Sequence, residues 1–164
     1  MNKLIILFFI AIAASLAGDC ESRFEFKEGY SICPPAGWIA APLTKGAAVS
    51  VSAPFALKSG DKFIAYMQMI VEPIAESFDT EVKNFAASAR GYKLKEQIEI
   101  SAEGIDGYKL VFTRNAAKRE FTYYLFPIDE KNMPRLYLMY GEKRREKQVE
   151  NSARTLRKTD RGAN

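Results

Sequence analysis

The chain has 164 residues, of which 48% are hydrophobic and 27% charged, and its formal net charge is +4. This composition is typical of a globular protein and excludes the disordered and fibrous classes. The absence of histidine excludes His-based catalytic triads and H-E-x-x-H zinc sites, and two cysteines are too few for a zinc ribbon or an iron–sulfur cluster.

The first seventeen residues have the pattern of an export signal. Lys3 precedes the almost wholly apolar run Leu4–Ala14, and Ser15 and Ala17 place small side chains at the −3 and −1 positions of a cleavage site. The apolar run is shorter than the roughly 18–20 residues that a membrane-spanning helix needs. We therefore predict a signal peptide over residues 1–17, with an uncleaved anchor as the alternative.

Two cysteines follow the predicted cleavage point. Export to an oxidising compartment permits a disulfide between Cys20 and Cys33, which would close a loop of about 14 residues and stabilise the fold by roughly 3 kcal/mol. Lipid attachment to Cys20 is an alternative, although the preceding Asp19 departs from the small residue of a lipoprotein signal. Two free thiols are the third interpretation.

The remaining chain has the length of one domain. In its first half, side chains often alternate between apolar and polar with a period of two, which is typical of β-strands. We predict a tail over residues 18–23, a domain over 24–158 and a tail over 159–164. The predicted early strands are Phe24–Phe26, Tyr30–Cys33, Ala48–Ser52, which stops before Pro54, and Phe63–Glu72. The last of these carries apolar residues on both faces, so we expect the sheet to be covered on both sides.

A change to helical spacing marks residues Phe78–Arg90. The apolar residues of this segment lie on one helix face: Phe78, Val82, Phe85, Ala86 and Ala89. Ser77 is positioned as the N-cap, and Gly91 is positioned to end the helix in a left-handed conformation.

The second half predicts four further strands and a closing helix. The strands are Tyr92–Ser101, expected at an edge, Tyr108–Thr113, Phe121–Phe126, expected in the centre, and Leu136–Tyr140. A helix is predicted over Glu142–Lys158, with Val149, Ala153 and Leu156 as its apolar stripe. This order predicts an α+β fold in which an antiparallel β-sheet is covered by two helices.

Several segments resemble the PsbP-like superfamily of exported proteins, which includes PsbP and DcrB-like members. The similar segments are the opening Tyr30–Ile32, the turn Pro35–Trp38, and the meander strands Tyr108–Phe112, Tyr123–Phe126 and Leu136–Tyr140. The resemblance covers about residues 24–158. It implies an α/β/α sandwich whose members mostly bind partners rather than catalyse a reaction.

Aromatic residues are the main candidates for a binding surface. Trp38 follows a turn, and the meander contributes Tyr123, Tyr124, Tyr137 and Tyr140. An open sheet face would present some of these rings as an aromatic patch of the kind found at interfaces. Burial in the core is the alternative, since large aromatic side chains also dominate protein interiors.

Positive charge is concentrated at the C-terminus, where residues 143–164 hold eight basic and three acidic side chains. Arg144, Arg145, Arg157 and Lys158 are candidates for contact with an anionic lipid or polymer surface, which leaves membrane association open. A solvated helix face is the simpler interpretation. A nucleic-acid partner is not expected, because export separates the protein from nucleic acid.

Catalytic and metal-binding interpretations have weaker support. Met67, Met69 and Met139 carry thioethers that could bind Cu(I), but methionine routinely fills gaps in strands. Acidic side chains in turns could bind Ca²⁺, yet they lack the spacing of known calcium loops; these residues are Glu99, Glu103, Asp106, Asp129 and Glu130. No cofactor motif is present. The sequence therefore predicts an exported, non-catalytic binding or assembly module of the cell envelope, with an enzyme or metal-binding protein as the alternative.

Overall fold

The computed structural model describes residues 20, 23–26, 29–40, 51–89, 91–114 and 119–159, without the side chains of 51–54, 139 and 140. In chain order the strands and helices are β1 (Phe24–Phe26), β2 (Tyr30–Ile32), β3 (Ile39–Ala40), β4 (Val51–Ser59), β5 (Lys62–Pro73), α1 (Phe78–Ser88), β6 (Tyr92–Ala102), β7 (Ile105–Arg114), β8 (Arg119–Leu125), β9 (Asn132–Tyr140), a 3₁₀ turn (Lys143–Arg145), α2 (Glu146–Ala153) and β10 (Arg157–Lys158).

Seven strands form the main sheet in the order β3-β4-β5-β9-β8-β7-β6, and the neighbouring strands are antiparallel. β8 lies between β7 and β9, and β6 lies at an edge, as the sequence predicted for Phe121–Phe126 and Tyr92–Ser101. Helices α1 and α2 pack on opposite faces of this sheet. The predicted α+β fold with a helix-covered antiparallel sheet is thus confirmed.

Helix α1 begins where the sequence predicted. The Ser77 side chain accepts a hydrogen bond from the Thr80 backbone N–H, which satisfies one of the free donors of the first turn. Val82 is fully buried. It packs in one apolar cluster with four residues of the sheet: Leu110, Phe112, Leu125 and Met133. The helix ends at Ser88, and Gly91 adopts the expected positive φ of 78°.

The closing helix is shorter than predicted, so the expectation of one helix over Glu142–Lys158 is wrong. A 3₁₀ turn precedes α2, α2 ends at Ala153, and Arg157 and Lys158 leave it to pair with Ser31 and Tyr30 of β2. The Thr155 hydroxyl accepts a hydrogen bond from the Cys33 N–H, 2.8 Å away, and donates one to the Ser152 carbonyl. These bonds compete with further helical turns and direct the chain along β2.

A three-stranded sheet of β1, β2 and β10 lies on the α2 side of the main sheet. Its inward side chains, such as Tyr30 and Ile32, join the same core cluster as Met67 and Leu136 of the main sheet. The two helices are therefore not the only cover of the main sheet, contrary to expectation. On the opposite face, α1 is the one element that packs within the described part of the chain.

Strand β4 continues through Pro54, although the sequence predicted that the strand would stop before it. The pairing of β4 with β5 shifts register between Ser52 and Phe55, at the position of the proline. Such an irregularity accommodates a residue that lacks an N–H donor. Residues 48–50 of the predicted strand lie outside the described residues. No helix within the described ranges has the length and apolarity required to cross a lipid bilayer.

Candidate functional site

The disulfide between Cys20 and Cys33 is present, with a Cα–Cα distance of 5.8 Å, and this prediction is confirmed. It ties the segment before β1 to the end of β2. Arg23 adds to the same junction, because its guanidinium donates to Ser31 and to the Thr155 carbonyl. A sulfur in a disulfide cannot carry a thioether lipid, so the bridged protein is not lipidated at Cys20. Such a bond indicates an extracytoplasmic protein.

A groove of about 660 Å³ runs along one side of α1, between the helix and residues of strands β5 to β9. We call it the aromatic groove. Its walls and floor include four aromatic side chains from different elements, namely Phe85, Tyr92, Phe112 and Tyr123. Asn84 of α1 and Glu72 of β5 contribute polar groups. An open groove of this size, lined by apolar rings and a few polar groups, is a candidate ligand site.

Arg135 of β9 lies within the aromatic groove and contacts three rings. Its guanidinium carbon lies 4.7 Å from the ring centroid of Phe85, 5.6 Å from that of Tyr123 and 5.9 Å from that of Tyr137. Its Nη2 donates to Oε1 of Glu72 over 2.6 Å. Only 16% of the Arg135 side chain is exposed. The rings and Glu72 together hold the guanidinium in one orientation.

Tyr123 and Tyr137 lie side by side on neighbouring strands, with ring centroids 5.2 Å apart. Burial raises the pKa of both phenols, and the nearby Arg135 cation only partly opposes this shift. The Tyr137 hydroxyl donates to Oε1 of Gln68 over 2.6 Å. Both phenols are therefore neutral at physiological pH and act as apolar surfaces with a polar edge.

The structure separates the predicted aromatic surface into two groups. Tyr123 and Tyr137 lie on the α1 face of the sheet beside the aromatic groove. Tyr124 points to the opposite face because neighbouring strand residues alternate, and it is fully buried, while Trp38 is 6% exposed. Trp38 and Tyr124 are therefore core residues and do not belong to a surface. The side chain of Tyr140 lies outside the described residues.

A second polar cluster lies between α2 and the sheet. Glu146 is half-buried there; burial raises the pKa of its carboxyl, and a hydrogen bond with Thr122 opposes the rise. One turn later, Glu150 pairs with Lys109 at 2.7 Å, and Lys109 lies 5.9 Å from the ring centroid of Tyr124. The cluster joins α2 to strands β7 and β8, and we assign it a structural role.

The predicted basic surface is divided between two elements. Arg144 and Arg145 lie in the 3₁₀ turn, whereas Arg157 and Lys158 lie in β10, so the four do not share a helix face. Arg144 pairs with Glu142, and Arg157 lies 3.7 Å from Glu103. Arg145 is half-buried and donates to Gln148 over 3.2 Å. Two of these four cations are therefore paired with carboxylates within the fold.

The candidate metal ligands lie in two structural settings. Met67 and Met69 are fully buried in the core, and the side chain of Met139 lies outside the described residues. Asp129 accepts hydrogen bonds from the backbone N–H groups of Lys131 and Asn132 and so closes its turn. Within the described residues, no three His, Cys, Asp or Glu side chains are grouped so as to hold a metal ion.

The acidic residues of the β6–β7 hairpin have partners within the fold. Glu103 pairs with Arg23 at 3.3 Å and with Arg157, and Asp106 hydrogen-bonds with Ser101. Glu99 and Asp106 line a second open groove, of about 510 Å³, near the start of α1. Glu130 is exposed beside Asp129. The contacts of Glu103 and Asp106 support a structural role at this hairpin.

Sequence reasoning missed the importance of Arg135, Glu72 and Phe85. A signal for Arg135 was present in the sequence, because it directly precedes the predicted strand Leu136–Tyr140 and is two residues from Tyr137, on the same face of an extended chain. The contact with Phe85 depends on where α1 docks, which spacing along the chain does not specify.

No protein-family model matches the sequence, and no curated protein matches it. Among solved structures, the chain is similar to the solution structure of cyanobacterial PsbP (CyanoP) from Synechocystis sp. PCC 6803. The two are 16% identical, the match covers 84% of this chain and 91% of that chain, and the TM-score is 0.57. At this identity the likeness shows the fold alone. The chain therefore has the PsbP-like fold that its strand motifs resembled.

Proposed function

We propose that this protein is an exported, non-catalytic binding or assembly module of the cell envelope, and that it contacts its partner through the aromatic groove. Export is supported by the signal-like pattern of residues 1–17 and by the Cys20–Cys33 disulfide. The partner is an envelope component, and an anionic envelope surface is the less favoured alternative, since Arg144 and Arg157 have partners within the fold.

The aromatic groove is the observation that carries the proposal. Helix α1 has 11 residues and is about 16 Å long, whereas the sheet below it has seven strands about 4.8 Å apart. The helix therefore covers only part of this face. Beside it, Tyr123 and Arg135 are partly exposed, and tyrosine and arginine are residue types enriched at binding interfaces.

Site-specific photocrosslinking tests the proposal in the native envelope. Asn84 lines the aromatic groove, and its neighbour Lys83 is exposed elsewhere on the same helix. A photoreactive amino acid at Asn84 should form a discrete adduct, whereas the same amino acid at Lys83 should not. Equal labelling at both positions, or no adduct at Asn84, would reject the groove as the contact site.

A further inference from the structure

We infer that the aromatic groove binds a small carboxylic acid with an apolar body, and that the carboxylate is held by Arg135. This inference rests on the proposed function of the groove as the contact site. It adds the chemical class of the ligand and the residue that recognises it.

The unused hydrogen-bonding capacity of Arg135 is the first reason. A guanidinium carries five N–H donors in a planar fork that matches the two oxygens of a carboxylate. Among the described residues, the only acceptor for Arg135 is Oε1 of Glu72, and its Nε is buried without an acceptor. Because Nε is buried, a second carboxylate would be held by the terminal nitrogens, of which only Nη2 has an acceptor among the described residues.

The surroundings of Arg135 supply the second reason. Phe85, Tyr123 and Tyr137 fix the guanidinium before any ligand arrives, so little side-chain entropy is lost on binding. The groove volume of about 660 Å³ is that of a small-molecule site, and the partly exposed rings of Phe85 and Tyr92 offer apolar contact to the body of a ligand. Partial burial also strengthens the attraction between Arg135 and an anion.

The two carboxylates that line the groove determine whether each substitution should strengthen or weaken ligand binding. Oε1 of Glu81 accepts hydrogen bonds from the backbone N–H groups of Ala75 and Glu76, so it is engaged away from Arg135. Glu72, 35% exposed, competes for Arg135 and repels a second carboxylate. Removing the charge of Glu72 should therefore strengthen binding, and removing that of Arg135 should weaken it. If the ion pair were purely structural, both substitutions would weaken binding.

Calorimetric titration with dodecanoate and dodecanol, each below its aggregation concentration, tests this inference. We expect dodecanoate to bind the native protein at least tenfold more tightly than dodecanol, because charge-assisted hydrogen bonds are the stronger class. Arg135→Gln should abolish the difference, and Glu72→Gln should increase it. Arg119→Gln should change neither, since Arg119 lies 5.4 Å from the Phe121 ring but outside the groove.

Three results would overturn the inference: no binding of dodecanoate, equal binding of the acid and the alcohol, or weaker binding in both the Arg135 and the Glu72 variant. Thermal melts of each variant confirm that it is folded. Any of these results, together with an adduct at Asn84, would reject the ligand class and leave the groove as the contact site. The absence of an adduct at Asn84 would instead reject the proposed function.

Discussion

Gly107 of β7 lies so close to the backbone carbonyl oxygen of Leu125 on β8 that a side chain at this position has no room. A Cβ atom at Gly107 would also lie 2.6 Å from the ring of Phe126, which is itself fully buried. The backbone of Leu125 belongs to the central strands and cannot move aside as a flexible side chain would.

The first prediction is that Gly107→Ala destabilises the protein by about 3 kcal/mol or more, which is the upper range for overpacking. Gly104→Ala is the matched control, because its Cβ would meet nothing within 4 Å while its φ of +88° disfavours a side chain. That variant should cost about 1–2 kcal/mol. Urea unfolding measures both; a Gly107 variant no less stable than the Gly104 variant would contradict the predicted clash.

Removal of the disulfide should destabilise the protein by about 3 kcal/mol. The bond joins cysteines with a sequence separation of 13 residues and so lowers the entropy of the unfolded chain. The double variant Cys20→Ser/Cys33→Ser, compared with the native protein in urea, gives this value. Alkylation of the native exported protein should label neither thiol before reduction and both after it. Labelling without reduction, or an acyl group on Cys20, would show that the bridge does not form in the cell.

Glu146 and Glu150 lie one turn apart on α2 and should respond oppositely to neutralisation. Burial raises the pKa of Glu146 in the folded state, so its ionised form opposes folding once the pH exceeds the unfolded value. Burial alone would also raise the pKa of Glu150, but hydrogen bonds from Lys109 and Arg154 outweigh it and the pKa is lowered. Its ionised form therefore favours folding, and this contribution is lost as the pH falls through the folded pKa.

Glu146→Gln should consequently raise the melting temperature at pH 7, and the gain should disappear below about pH 4, where Glu146 is protonated in both states. Glu150→Gln should lower the melting temperature at pH 7 and have less effect in acid. Melting curves from pH 3 to pH 8 compare the two variants with the native protein. A loss of stability in both at pH 7 would show that Glu146 acts as a paired carboxylate.

The exported protein should lack residues 1–17, because Ser15 and Ala17 fit the small pockets of a signal peptidase. Intact-mass measurement of the protein from the envelope fraction should match a chain that begins at Gly18. Substituting Ala17→Arg should slow processing. A mass that includes Met1 through Ala17 would contradict cleavage and favour the uncleaved anchor.

Replacing Arg144, Arg145, Arg157 and Lys158 by serine should change stability by no more than about 1–2 kcal/mol, since exposed ion pairs contribute little. Because two of these cations are already paired, we expect native and variant proteins to co-sediment equally with vesicles rich in anionic lipid. Reduced sedimentation of the fourfold variant at low salt would contradict this expectation. If restoring any one of the four native residues did not recover sedimentation, the four side chains would share a contact with the anionic surface.

The local pattern of the sequence was enough to predict most elements of the fold. The spacing of Phe78, Val82 and Phe85 together with the Ser77 cap placed α1, because a helix is defined by contacts three and four residues apart. Apolar residues on both faces of Phe121–Phe126 predicted a strand away from the sheet edge, and β8 is such a strand. The cysteine count and the export pattern favoured a disulfide between Cys20 and Cys33 over lipidation or free thiols, and the structure contains it.

Tertiary structure decided what local patterns could not. Helix α2 ends at Ala153 because β2, more than one hundred residues earlier, offers backbone partners to Arg157 and Lys158. Of the candidate site, the sequence identified Tyr123 and Tyr137 but did not separate them from the buried Tyr124. Arg135 meets Phe85, fifty residues away, only because β9 lies next to β8 beneath one side of α1. Such contacts depend on strand order and helix docking, which follow from burying the whole apolar surface at once.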